Sequence, residues 1–262
     1  GIKGEFNDSQ EGPSIEDYIQ QEDGMEDIRL STTLFNQVKV ADFVSLYFSL
    51  AALGLAVVAR ERDYSYFSDG HLDESYESDL QVQIILYCAC LCNILYLTSL
   101  CLRHNLFFNW LWAKRQITMY DTLRNTGQWK TLAVELLINL IMPYPFFNDF
   151  IYYENYTNGD GEDHVIEFRV NWILLCLMTF IRLYQVIKCL LYLTFWLEPR
   201  AQRVCHMNGV NANYMFAIKS LMKASPYRVL TVSLLISVTQ MSYCLRMFEG
   251  PVTKASGQDY DL

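Results

Sequence analysis

The stretch Val170–Leu197, VNWILLCLMTFIRLYQVIKCLLYLTFWL, decides how this chain is read. It is long enough to cross a hydrocarbon core, which needs roughly 17–25 mostly apolar residues. Yet it carries Arg182 and Lys188, six positions apart. Leaving either charge in lipid costs at least roughly 2.5–3.5 kcal/mol on the most lenient insertion scale, so both need polar company or a route to the surface. Gln185 lies midway between them, and the three polar groups wind slowly along one helix face. For both bases, snorkelling or a purely structural pairing competes with a sensing role.

Four further blocks approach spanning length: Phe43–Ala59, Leu80–Leu102, Thr131–Tyr153 and Val229–Leu245. The helices of a soluble domain show polar stripes along most of their length, and these blocks mostly do not. The chain is 52% hydrophobic, but its mean hydropathy is only +0.09 because acidic loops and an acidic amino-terminal stretch dilute the blocks. The expectation is an all-α membrane protein with five crossings.

A net charge of −9 argues against nucleic acid as a partner, since binding phosphates requires clustered Lys and Arg. Eight cysteines fall in or beside the apolar blocks, and small apolar packing residues are expected over zinc ligation by Cys88, Cys90 and Cys92, whose spacing is not a CxxC repeat and which no His accompanies; no pair of the four histidines has metal-ligand spacing. No catalytic residue is assigned: HExxH, a nucleophile elbow and a phosphate loop are all missing from the sequence.

Basic residues set orientation. The connection after the second block holds Arg103, Lys114, Arg115, Arg124 and Lys130, and the one after the fourth holds Arg200, Arg203, Lys219, Lys223 and Arg228. Both are read as cytoplasmic. The intervening connections hold only Arg60 and Arg62, then Arg169, which puts them outside and makes Asn155 of the Asn155-Tyr156-Thr157 sequon a glycosylation candidate; Asn7-Asp8-Ser9 falls inside. The expected arrangement is a multi-pass plasma-membrane protein with a cytoplasmic amino end.

Glu135 is the one carboxylate well within an apolar run, WKTLAVELLINLIM, and is the expected counter-charge of Arg182 in a shared polar cluster. Asn93 is a candidate third member. Pro143 and Pro145 should end or kink the third span. Further on, Tyr214, Ala217, Ile218, Leu221 and Met222 recur at helical spacing, with Lys219 and Lys223 set apart. Such a basic amphipathic helix suits the headgroup plane, a partner such as calmodulin, or a lever between a bundle and a gate.

VELLINLIMPYP, IRLYQVIKCLL, and NGVNANYMFAIKSLM leading into PYRVLTVSLLISV and CLRMFE occur here in one order, over about residues 130–250. That order resembles the membrane portion of the small-conductance calcium-activated potassium channels, as a ciliate-like or otherwise divergent member. The resemblance implies a tetrameric, potassium-selective channel gated by calcium through calmodulin, with weak voltage response. It implies contact of calmodulin with the helix near Asn211–Ala224, making Tyr214, Phe216, Ile218, Lys219, Leu221, Met222 and Lys223 candidates. Calcium would act through calmodulin, with no cofactor in this chain.

The expected fold is then a voltage-sensor-like four-helix bundle over 36–198, after a flexible acidic tail at 1–35. A cytoplasmic amphipathic linker helix follows at 199–225, a fifth transmembrane helix opening the pore domain at 226–248, and a turret-like extracellular tail at 249–262. A pore helix, selectivity filter and sixth span are missing, and the sequence reads as a portion of a longer channel. The alternatives are a pore-less membrane scaffold or regulatory subunit that assembles with other channel subunits, and a proton-conducting sensor.

Overall fold

The computed structural model describes residues 15–68, 75–114, 117, 120–147, 151–157, 163–210 and 212–256. Within these, the side chains of 15–27, 64–68, 75–79, 151, 153–157, 163–167, 206 and 251–256 fall outside the description. Helix α1 runs Ile15–Ser68, α2 Ser75–Ala113, α3 Gln128–Asn139 and α4 Val170–Tyr192. Between α3 and α4 come a 3-10 turn, Pro145–Phe147, and a hairpin of β1 (Ile151–Thr157) and β2 (Asp163–Arg169). Another 3-10 turn, Phe195–Leu197, leads to α5 (Pro199–Met207), α6 (Tyr214–Ala224) and α7 (Pro226–Ser256).

Three helices bury a residue at every third or fourth position. On α1 these are Val38, Asp42, Ser45, Ser49, Ala52, Ala56 and Ala59. On α2 they are Val82, Leu86, Ala89, Asn93, Tyr96, Leu100 and Arg103, and on α4 Asn171, Leu175, Met178, Arg182, Gln185, Cys189 and Tyr192. Alternating steps of four and three average 3.5, the period that keeps a seam facing its neighbours in left-handed helix packing. The alanines and serines of α1 let α2 approach closely. Polar residues hold the middle of each seam.

Polar contacts between the helices fix their directions. Asp42 meets Arg103 and Ser45 meets Ser99, so α2 runs opposite to α1; Asp42 meets Lys188 and Asp63 meets Arg169 and Trp172, so α4 does too. In α3, Glu135 reaches Arg103 and Asn139 reaches Asn93, one level further along, so α3 runs with α1. A dry cluster of Ala52, Ala56, Ala89, Met142, Leu175 and Met178 closes the Trp172 end, and another of Phe35, Trp110, Leu191, Tyr192, Leu197 and Ala217 closes the opposite end.

Among the described residues, four helical segments are long and apolar enough to cross a membrane: Ile28–Asp63, Leu80–Ala113, Val170–Tyr192 and Pro226–Gly250. The expectation of five spanning blocks is corrected at the third. With 12 residues, α3 covers about 18 Å at 1.5 Å per residue, short of the roughly 30 Å core. It stops before Pro143, whose ring disfavours helix in the preceding residue, and Asn139 donates back to the Glu135 carbonyl at 2.7 Å. The chain continues as irregular backbone tied by Asn171 Nδ2 to the Tyr144 carbonyl at 3.0 Å.

The all-helical expectation misses the hairpin. Its signal lies in IYYENYT and DHVIEFR, rich in β-branched and aromatic residues and separated by a stretch with Asn-Gly and Asp-Gly pairs. Asn155 lies in β1, and its side chain is outside the described residues, as is Asn7 altogether. Helix α1 begins at Ile15, inside the stretch read as a tail, and α7 continues to Ser256, inside the stretch read as a turret. Gly209, at φ 72°, ends α5 in the left-handed conformation, and Val210 donates to the Cys205 carbonyl at 2.9 Å, turning the chain toward α6.

Candidate functional site

The polar middle of the bundle has two tiers along α4, about 9 Å apart at 1.5 Å per residue. In the first, Arg182, only 1% exposed, donates through Nη1 to Asn139 Oδ1 at 3.0 Å and through Nη2 to Asn93 Oδ1. Its guanidinium lies 4.2 Å from the centre of the Tyr96 ring, and the Tyr96 hydroxyl donates to the same Asn139 oxygen at 3.1 Å. Every direct partner of this buried cation is neutral.

The second tier holds the carboxylates. Asp42, with no exposure, accepts through Oδ1 from Lys188 Nζ at 2.9 Å and from Arg103 Nη1 at 3.2 Å. Arg103 Nη2 and His104 Nε2 converge on Glu135 Oε2, the latter at 2.9 Å. A guanidinium can only donate, so for an ionised Glu135 the His104 Nε2–H is also a donor, and the approach of Arg103 to His104 follows from their sharing one oxygen. Ser45 and Ser99 bond at 2.8 Å between the two tiers.

Sequence reasoning therefore paired the wrong residues. Glu135 belongs to Arg103 and His104, and Arg182 meets asparagines and a tyrosine. The reason is axial level: α3 carries Asn139 one turn beyond Glu135, and that turn faces Arg182. Asn93 takes its expected place. Lys188 does not snorkel, being sealed on Asp42 at 7% exposure. Arg103, counted among the charges of a connection, lies inside α2 and is buried. Asp42, the hub of the second tier, escaped notice because it stands one position before the first apolar block.

The network is incompletely paired. Asp42 Oδ2, Glu135 Oε1, Arg182 Nε and both amide atoms of Gln185 are buried without a hydrogen-bond partner. Gln185 sits between the tiers. Unmet buried polar atoms call for a specific cause, such as water or an alternative arrangement in which they are used.

The other face of α4 connects to α7. Gln240 Nε2 donates to Thr179 Oγ1, and the Cys176 and Cys244 sulfurs lie 3.3 Å apart. At the end of the bundle closed by Phe35 and Trp110, α6 docks by Tyr214, whose hydroxyl bonds that of Tyr192 at 2.8 Å, by the fully buried Ala217, and by Ile218. Phe216 packs on Trp196, with ring centres 6.3 Å apart. Leu221 is partly buried, whereas Lys219, Met222 and Lys223 are exposed together with Met215, which the sequence reading left out. Burial pushes the Tyr214 hydroxyl up to about 12.

No protein-family model matches the chain, and no curated protein matches it.

Proposed function

We propose that this chain is the sensor-like bundle, linker and first pore-layer helix of a potassium channel subunit resembling the small-conductance calcium-activated channels. It would be multi-pass in the plasma membrane, with its amino end in the cytoplasm. The observation that carries the reading is α4 itself. Its two cations are sealed in polar tiers with unused donors and acceptors between them, and its opposite flank is tied to α7. A helix so placed can change register without exposing charge to lipid, and it pulls on α7 when it does.

The energetics favour a weak electrical response. One elementary charge crossing the membrane field yields about 2.3 kcal/mol per 100 mV, so two cations per subunit supply little work for a steep switch. Opening would need a second input. The exposed Met215, Met222, Lys219 and Lys223 of α6 suit the apolar and acidic surfaces of calmodulin, through which calcium would act. The largely exposed apolar face of α7, with Leu230, Leu234, Leu235, Val238 and Met241, would be covered in a homotetramer.

The test is electrical. Full-length subunits expressed in cells should give potassium currents that rise with internal calcium and shift only weakly with voltage. Normal surface expression without such current would reject the channel reading. Current appearing only when another channel subunit is co-expressed would favour the scaffold or regulatory role.

A further inference from the structure

Beside the Ser31–Val38 stretch of α1 and the end of α2, the chain lines a cavity of about 540 Å3. Its walls include Phe35, Trp110, Tyr192 and Leu197. The volume falls within the range of about 300–1,000 Å3 typical of small-molecule sites. Two lining residues are charged, Lys114 and Arg203, both positive, and no Asp or Glu is among the described lining residues. Lys114 Nζ rests 3.7 Å from the centre of the Trp110 ring and donates to Gln202 Oε1 at 2.9 Å. Arg203 has no hydrogen-bond or ion-pair partner among the described residues. Two cations sharing an apolar cavity repel one another unless an anion joins them.

The cavity's height in the fold selects the kind of anion. Lys114 directly follows the apolar span Leu80–Ala113, and the exposed Met207 and Val210 contribute apolar surface to the lining. It thus opens where a spanning helix leaves hydrocarbon for headgroups. A soluble phosphate would satisfy the cations but leave the aromatic walls empty. A zwitterionic headgroup would bring its own ammonium toward two cations. We propose that the cavity binds an anionic phospholipid of the adjoining leaflet, with its phosphate between Lys114 and Arg203 and the start of an acyl chain among Phe35, Trp110 and Leu197. Charge-assisted bonds to the phosphate fix the head, and apolar burial holds the chain. Lys114 gives independent support: burial first, and Arg203 second, press its pKa down to about 8, as expected of an ammonium lacking a counter-anion. The inference rests on the chain lying in a membrane, not on its conducting ions.

The full chain is reconstituted in nanodiscs of phosphatidylcholine mixed with phosphatidylglycerol, and retained lipid is counted by native mass spectrometry. The expected result is preferential retention of phosphatidylglycerol by roughly tenfold or more, given about 1 kcal/mol per basic group near anionic lipid. Lys114→Gln with Arg203→Gln abolishes the preference, and Arg200→Gln, on the same segment but outside the lining, leaves it intact. Ala212→Phe fills the cavity and removes the lipid with both cations in place. Arg203→Gln alone takes away no intramolecular bond, so it decides the matter if the double variant unfolds. Equal retention of both lipids, an unchanged preference in Arg203→Gln or Ala212→Phe, or displacement of the lipid by millimolar inorganic phosphate would overturn the proposal.

Discussion

Helices α4 and α7 are both long and apolar, and both carry polar residues at helical spacing, but they dispose of them in opposite ways. On α4, Asn171, Thr179, Arg182, Gln185 and Lys188 are all buried against other elements. On α7, Thr231, Ser233, Ser237 and Thr239 are exposed and donate to carbonyls three or four residues back in their own helix. A hydroxyl can be satisfied by its own backbone, and a guanidinium cannot. The bases on α4 therefore require neighbours, whereas α7 is free to face lipid or another protein.

The sharpest way to break this contrast is to remove the hub on which α4 depends. Asp42→Ala leaves Lys188 without its one carboxylate and Arg103 with only Glu135, and losing one partner of a buried ion pair costs about 3–5 kcal/mol. Thermal unfolding in detergent should show that loss, or no folded protein should be recovered. Ser237→Ala on α7 should stay within about 0.5 kcal/mol of wild type. Equal effects would mean that the interior of the bundle is as forgiving as its exterior.

Next in size is Arg182→Met, which separates the two tiers. Because its direct partners are Asn93, Asn139 and Tyr96, the substitution strands no carboxylate. The expected cost is about 1–3 kcal/mol, from asparagine oxygens left under-bonded. Had Glu135 been its counter-charge, the loss would approach that of Asp42→Ala, so the ratio of the two measures where the carboxylates sit.

How much of this was legible follows from the range of each cue. The apolar blocks announced α1, α2, α4 and α7, because 3.6-residue periodicity and length are local properties. Arg182, Gln185 and Lys188 stood out because charge is rare in such blocks. Asp42 did not, since its polar neighbours Asn36, Gln37 and Lys39 disguise it as a connection. Its stripe with Ser45, Ser49, Ala52, Ala56 and Ala59 at steps of three and four was readable, and it marks the face that packs. Which carboxylate meets which base was not readable: a shift of one helical turn, the distance from Glu135 to Asn139, exchanges the partners and leaves every local pattern unchanged.

A third experiment probes the place where α7 is sealed against α4. The Cys176 and Cys244 sulfurs are 3.3 Å apart, and both thiols are free. A membrane-permeant oxidant such as copper-phenanthroline should remove one hydrogen from each and join α4 to α7, read as a two-hydrogen mass loss and a linked pair of peptides. Cys205, on α5, should stay a thiol under the same dose. If both cysteines alkylate freely after oxidation, α7 does not rest on α4, and the path from the tiers to α7 is broken.

The smallest effect extends the contrast to a cation outside the bundle. Lys114, just past α2, faces Trp110 of that helix and Gln202 and Arg203 on α5, without a carboxylate among its described neighbours. Its folded pKa of about 8 lies below the unfolded value near 10.4, so between those pH values the unfolded chain binds more protons and stability rises with pH. Below pH 8 the folded chain must hold the charge, so Lys114→Met should help most near pH 7, and the advantage should shrink as pH approaches 10. Melting temperatures of the two proteins across that range give the slope. Anionic lipid restores a partner to Lys114 and should flatten it, whereas the same lipid should leave the effect of Asp42→Ala untouched, because the bundle already contains its own counter-charges.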